Sequence, residues 1–245
     1  MHRFYCPDLD GGQLNETESH HAFSVLRIRK GDICSIFDGK GQEIQAEVTQ
    51  INRHMLRFQK KSSQTSPTLP FRIHLAQALC KNKAWDLILE KSTELGVHQI
   101  HPILSDRSVT RIKPTDSSKP TKWRQELIAA CKQSGRNWLP QLAPIETVES
   151  FIKSKHHIEG LNLIASLQPD AQSLADVLDE ELPELAMPKS VTVLVGPEGD
   201  FSPSEIGLFR GAGYRPVSLG PNVLRAETAS LFICSVLYHE LMKNS

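Results

Sequence analysis

Glu198, Arg225 and Glu227 sit in or beside two glycine-proline loops near the end of the chain. Residues 191–206 read VTVLVGPEGDFSPSEI, and residues 218–230 read SLGPNVLRAETAS. Each loop follows a short apolar run and precedes a helical pattern. Two such strand–loop–helix units, read as side by side, bring their loops to the carboxyl ends of a parallel sheet, where α/β proteins bind ligands. Gly196 and Gly199 permit a tight turn and close approach of backbone to a ligand, and Pro197 stiffens it. The motif is neither GxGxxG nor a Walker loop, since no GK[ST] follows. A tight strand-to-helix turn is the plain structural reading. Arg225 and Glu227 read equally as a surface ion pair or as charged groups at a site. Glu227 is also favoured electrostatically near a helix N-terminus.

The elements that must position these loops follow from periodicity. RIHLAQAL (72–79), HQIHPIL (98–104), LNLIASL (161–167), VTVLVG (191–196) and RPVSLG (215–220) read as strands. Between them, AWDLILEKSTELG has helical spacing and a closing Gly96, Pro120 opens a helix through WRQELIAACKQS, and SLADVLDEE is helical. Ser202 and Glu205 have capping-box spacing with Pro203 at the first helical position. A last helix is expected over 226–243. Strands alternating with helices mean a parallel sheet covered on both faces.

Upstream the pattern changes to period two. DICSIFDG (32–39), QEIQAEVTQI (42–51) and HMLRFQK (54–60) alternate apolar and polar residues, and DGKG (38–41) is a hairpin turn. HHAFSVLR (20–27) reads as a short helix. A small β-barrel is expected over 1–68, a common nucleic-acid-binding module. The Ser- and Pro-rich KKSSQTSPTLP (60–70) marks the boundary to an α/β domain over 71–245.

Hydrophobic residues make up 39% of the chain, enough for a packed core, and no apolar run approaches the ~20 residues of a membrane span. The N-terminus lacks a signal-peptide pattern. Five scattered cysteines without CxxC point to reduced thiols in a cytoplasm rather than a disulfide framework. Ten histidines, among them His20-His21 and His156-His157, form no HExxH or Cys/His ligand set, so no metal is expected. Net charge is zero, but residues 71–140 carry 12 Lys and Arg against 6 Asp and Glu, while residues 141–245 carry 7 against 14. The basic middle segment suits a polyanion. Arg3, Arg27, Arg29 and Lys30 are candidate RNA backbone contacts, with Arg107 and Arg136 as phosphate or cofactor-side candidates. Trp85, Trp123 and Trp138 read as core anchors.

HHAFSVLRIRKGDICSIFDGKG, KSTELGVHQIHPILSDRSV, CKQSGRNWLP, VGPEGDFSPSEI and SLGPNVLRAETA occur in order from residue 20 to residue 229. In these stretches the chain resembles the RsmE family of 16S rRNA methyltransferases, members of the SPOUT class. The resemblance implies an N-terminal PUA-like, RNA-binding β-barrel and a C-terminal α/β domain with a trefoil knot, an exception to un-knotted topology. It implies a cytoplasmic homodimer that uses S-adenosylmethionine to methylate N3 of one decoding-region uridine in 16S rRNA of the small ribosomal subunit. Cofactor-binding positions would then be Leu167, Leu194, Val195, Gly196, Pro197, Glu198, Gly199, Leu219, Gly220, Asn222, Val223, Leu224 and Thr228. The family's ELGV and QSGR blocks correspond to residues 94–97 and 133–136. The chain departs from the family at Asp200, where the pattern has Gly, and at Ala226, where it has Thr. Asp tolerates a left-handed backbone better than most residues.

Methyl transfer from a sulfonium needs alignment of donor and acceptor above all. Uridine N3 must also lose a proton, and an arginine near O2 or O4 would stabilise the charge that develops. Arg225 is the candidate. Glu198 and Glu227 are candidate proton acceptors, with loop bracing or helix capping as the alternative for each. Two rival readings stay open on residues alone: an RNA-binding assembly factor without catalysis, and an unrelated nucleotide-binding enzyme that uses GPEG for phosphate.

Overall fold

A computed structural model describes residues 1–108, 118–154, 160–184 and 189–243. His156-His157 and residues 109–113 of the basic DRSVTRIK segment lie outside these. The chain divides into two compact units, one of Met1–Thr68 with Ile128–Leu139, the other of Leu69–Leu127 with Pro140–Ser245. In chain order the elements are β1 (Arg3–Tyr5), α1 (Glu16–His20), β2 (Ile33–Phe37), β3 (Gln42–Ile51), β4 (Leu56–Thr65), β5 (Phe71–Ala78), α2 (Asn82–Glu94) and β6 (Gln99–Leu104). Then come α3 (Ser118–Ser134), β7 (Gln141–Leu142), β8 (Glu146–Thr147), α4 (Val148–Lys153), β9 (Leu161–Ala165), β10 (Gln172–Ser173) and α5 (Leu174–Glu181). The last four are β11 (Lys189–Val195), α6 (Pro203–Gly211), β12 (Arg215–Ser218) and α7 (Ala226–Lys243).

In the first unit the strands pair in the order β1-β2-β3-β4, with β1 parallel to β2 and the other pairs antiparallel. Alternation drives this sheet: Ile44, Ala46 and Val48 of β3 are fully buried and pack with Phe4, Ile36 and Leu56. β4 runs to Thr65, taking in the first six residues of the stretch that reads as a linker. Its residues from Gln59 onward are exposed and pair with β3, so the apolar signal of a strand is missing. The β2–β3 turn needs Gly41, which holds φ +99 against the Trp138 ring. The helical segment at 20–27 is also different from expectation. α1 ends at His20, and His21–Val25 continue as a π-helical turn.

Residues 128–139 join this unit although sequence reading put them in the α/β domain. Ile128, Cys131 and Leu139 pack with Tyr5 and Phe37, and the Leu139 and Gly41 amides close hydrogen bonds with Gly39 and Asn137 carbonyls. No local composition signals this, because the apolar residues that bind the segment lie far away in sequence.

In the second unit all pairings are parallel, in the order β10-β12-β9-β11-β5-β6-β7, with β8 also on β6. β9 therefore separates β11 from β12, so the two loop-bearing units are not adjacent. β11 inserts between the earlier strands β5 and β9, and β12 between β9 and β10. Helices cover both faces. Ala76, Ala78 and Leu194 pack with Val148 and Phe151 of α4 and Phe209 of α6. α7 lies on β5, β11 and α2. The described part of α3 is Ser118–Ser134, with Pro120 near its start. Trp85 and Trp123 are buried with ring centroids 4.9 Å apart, as core anchors.

Candidate functional site

The carboxyl ends of β9, β11 and β12 converge on a cavity of about 450 Å³, lined by residues 165–167, 195–200, 219–220, 222–226 and 229. Its size is that of a small-molecule site. Leu167 and Val223 are 60% and 77% exposed on its wall, apolar surface that a bound molecule would cover.

The first loop is shaped by its own backbone. The Asp200 amide donates to the Pro197 carbonyl at 2.9 Å, and Asp200 holds φ +60. Its Oδ1 accepts from the next amide, Phe201 N, at 2.7 Å. A Cβ at Gly196 would stand 3.1 Å from that oxygen and 3.3 Å from Phe201 N, so a side chain there would press on the turn. Ser202 then caps α6 in the expected capping box with Glu205. Glu205 does more than cap. It is buried, and its Oε2 accepts from Ser202 N at 2.7 Å while Oε1 accepts from Asp106 N at 2.8 Å. Ser202 Oγ donates to Asp106 Oδ2 at 2.8 Å, and Arg107 Nη1 donates to the Gly199 carbonyl at 2.9 Å. The loop after β6 is thereby tied to the cavity loop, a link visible only in three dimensions.

The second loop turns at Gly220, φ +125, and enters α7 at Ala226. The Arg225 carbonyl accepts the first helical bond, from Ala229 N at 2.8 Å. One turn later the single Ser230 hydroxyl hydrogen is shared between the Ala226 carbonyl, at 2.9 Å, and Oε1 of buried Gln77 in β5. Gln77 Nε2 donates in turn to the Val195 carbonyl at 3.3 Å and its neighbour Ala78 at 3.0 Å. The start of α7 and the end of β11 are thus fixed to each other through one amide.

Most of the expected cofactor positions line the cavity: Leu167, Val195, Gly196, Pro197, Glu198, Gly199, Leu219, Gly220, Asn222, Val223 and Leu224. Leu194 and Thr228 do not. Leu194 is fully buried in the core toward α4 and α6, and Thr228 is exposed on α7. Arg225 lines the cavity. Glu227 does not, but it and Glu198 both act on the buried Cys80 thiol, which burial and then these two carboxylates push up to about 12. The two carboxylates therefore bear on one spot at the sheet's carboxyl edge. Sequence reading missed Ala165, Ser166, Ala226 and Ala229 on the cavity wall, whereas Asp200, singled out there as a departure from the family pattern, does line it. The glycine-proline signal marks loops, not the strand end or helix face beside them.

Arg27, Arg29 and Lys30 are exposed. Arg107 is exposed and bonded to Gly199, and Arg136 is half-buried in the first unit. Arg3 is corrected: its guanidinium turns inward. It donates to the carbonyls of Cys131 at 2.9 Å and Arg136 at 3.2 Å and to the Asn137 side chain, stacks 4.3 Å over Phe37, and pairs with Glu43 at 3.6 Å. A guanidinium committed to so many internal partners braces residues 128–139 rather than meeting a phosphate.

Residues 67–238 match the model of the RNA methyltransferase domain, and residues 14–60 that of the RNA methyltransferase PUA domain. The chain is 31% identical over 216 residues to ribosomal RNA small subunit methyltransferase E of Synechocystis sp., covering 88% of this chain and 69% of that one. Identity to the Buchnera aphidicola (Schizaphis graminum) protein of the same name is 30% over 230 residues, covering 91% and 88%. Among solved structures, a methyltransferase from Legionella pneumophila with bound cofactor SAM superposes with a TM-score of 0.87 at 32% identity, covering 97% and 96% of the two chains. Ribosomal RNA small subunit methyltransferase E from Neisseria gonorrhoeae, bound to S-adenosyl methionine, gives 0.85 at 30%, covering 98% and 97%. With a matching domain model over most of its length and these relatives, the chain belongs to the RsmE family of ribosomal RNA small subunit methyltransferases.

Proposed function

We propose that this chain methylates N3 of one decoding-region uridine in 16S rRNA, with S-adenosylmethionine held in the cavity at the ends of β9, β11 and β12. The observation that carries the reading is that cavity, with Arg225 on its wall and exposed Leu167 and Val223 at its mouth. Its residues fit the group. Apolar side chains suit an adenosine, loop amides and carbonyls suit its polar edges, and Glu198 and Asp200 suit a cation. When bound, the cofactor supplies a methyl group activated by positive sulfur.

The chain's own residues supply the rest. Uridine N3 must shed its proton, and the negative charge that develops spreads onto O2 and O4. Arg225 donates to one of these oxygens; a guanidinium stays charged at neutral pH and is a poor base but a good stabiliser. Glu198, on the cavity wall, and Glu227, at the start of α7, are the candidate acceptors for the proton, each with a bracing role as the alternative. Exposed Arg27, Arg29 and Lys30 of the PUA-type unit hold the RNA backbone, and the β1-β2-β3-β4 sheet, with the Gln13–Arg57 bridge beside it, fits a small β-barrel.

The late insertion of β11 and β12 between earlier strands fits a trefoil-knotted chain, and the long apolar α7 fits a cytoplasmic homodimer. Sedimentation at micromolar concentration tests the dimer; a fully active monomer contradicts it. The function itself is tested by nucleoside mass spectrometry of 16S rRNA from cells lacking this chain. Loss of the methylated uridine, restored by the gene and not by an Arg225→Ala copy, is the expected result. Unchanged modification contradicts it.

A further inference from the structure

The wall of the cavity carries unequal charge. Its charged lining residues are Glu198, Asp200 and Arg225, two carboxylates against one guanidinium. Asp200 is one of two described non-glycine residues with positive φ, at +60. Glycine meets that backbone requirement without steric cost. The carboxylate is held there all the same. Its Oδ1 accepts from Phe201 N at 2.7 Å and lies close over Gly196, so the side chain is folded back onto the turn instead of swinging in solvent. A negative charge fixed on a concave wall acts on whatever fills the cavity, because the low-dielectric wall focuses its field. The distances inside such a cavity are on the order of the Debye length, about 8 Å at physiological salt, so screening is incomplete.

We propose that Asp200 is a specificity-determining residue that selects by ligand charge, favouring the sulfonium cofactor over its demethylated thioether product. The inference rests on the cofactor reading above. The two molecules are nearly identical in shape, and apolar walls and backbone hydrogen bonds treat them alike. They differ by the positive charge on sulfur, which is lost with the methyl group. A fixed carboxylate on the wall therefore discriminates where shape does not, and its attraction for the bound molecule ends when the methyl group and the charge leave.

The test is calorimetric titration of the full chain with S-adenosylmethionine and, separately, S-adenosylhomocysteine. Asp200→Asn keeps the side-chain size, the acceptor for Phe201 N and tolerance of the left-handed backbone. Asp200→Gly keeps the backbone freedom by another route. Both variants are expected to bind S-adenosylhomocysteine within about twofold of the unaltered chain and S-adenosylmethionine roughly tenfold more weakly, the size of one charge interaction across a partly solvated cavity. The difference shrinks as salt is raised. An unchanged affinity ratio in both variants, or equal weakening of both ligands, overturns the proposal and leaves the cofactor reading standing. Failure of the unaltered chain to bind either ligand overturns that reading and the proposal with it.

Discussion

Ser230 of α7 donates a hydrogen bond to the Gln77 side chain of β5, and Gln77 passes it on to the Val195 carbonyl where β11 ends. Gln77 and Ser230 are both buried. A buried amide is costly unless its partners are in place, and this one holds together the two segments whose loops form the cavity.

Ser230→Ala leaves the Gln77 oxygen without its Ser230 donor inside the core. The expected cost is about 1–3 kcal/mol, read from urea unfolding, together with a several-fold weaker cofactor affinity. Unchanged stability would show that Gln77 is a passive filler.

Arg225→Ala should lower turnover about a hundred- to a thousandfold, the cost of one lost donor to a developing oxyanion, roughly 2.7–4 kcal/mol. Cofactor affinity should stay within a few-fold. Arg225→Lys should rescue in part, since an ammonium lacks the planar fork. Near-normal turnover of the alanine variant under saturating cofactor and RNA would make Arg225 a loop-bracing residue.

The five cysteines are buried thiols outside any disulfide, and burial pushes those of Cys80 and Cys234 up to about 12 and those of Cys34 and Cys131 up to about 11. Folding thus makes these thiols hold their protons longer. Their contribution to stability is whole below the ordinary value of 9.0 and is lost as pH climbs from there toward 11 and 12. Unfolding free energy should fall across that window, and the native chain should resist thiol reagents at neutral pH. Cys80→Ala should flatten the slope. A slope unchanged by this substitution would assign alkaline unfolding to other groups.

Arg27, Arg29 and Lys30 are exposed on the first unit, whereas Arg3 is spent internally. Neutralising the three together should weaken RNA binding and reduce its salt slope by about one per lost phosphate contact. Binding that is flat against salt in the unaltered chain would remove the basic surface from the account.

Much of the α/β unit is legible in the sequence because its signals are local. VTVLVG is apolar enough to be a central strand, Ser202, Pro203 and Glu205 stand at cap positions, and the α7 bounds follow from an apolar run ending near Lys243. The loops are legible because glycine and proline leave few other conformations. What stays hidden is long-range. Nothing near β9 says that it lies between β11 and β12, and nothing near Ile128 says that its partners are Tyr5 and Phe37. Arg3 reads as a surface cation until Cys131, Arg136 and Asn137, more than 100 residues away, come into view as its acceptors. The half of β4 beyond Lys60 is polar because it is paired but faces no core.

The central claim is the chemistry. Purified chain, small ribosomal subunits lacking the modification and S-adenosylmethionine with an isotopically labelled methyl group, followed by nucleoside mass spectrometry, test it most directly. The account predicts labelled N3-methyluridine at a single position of 16S rRNA, lost with Arg225→Ala. Label on another atom or another base, or none with cofactor bound, would contradict it.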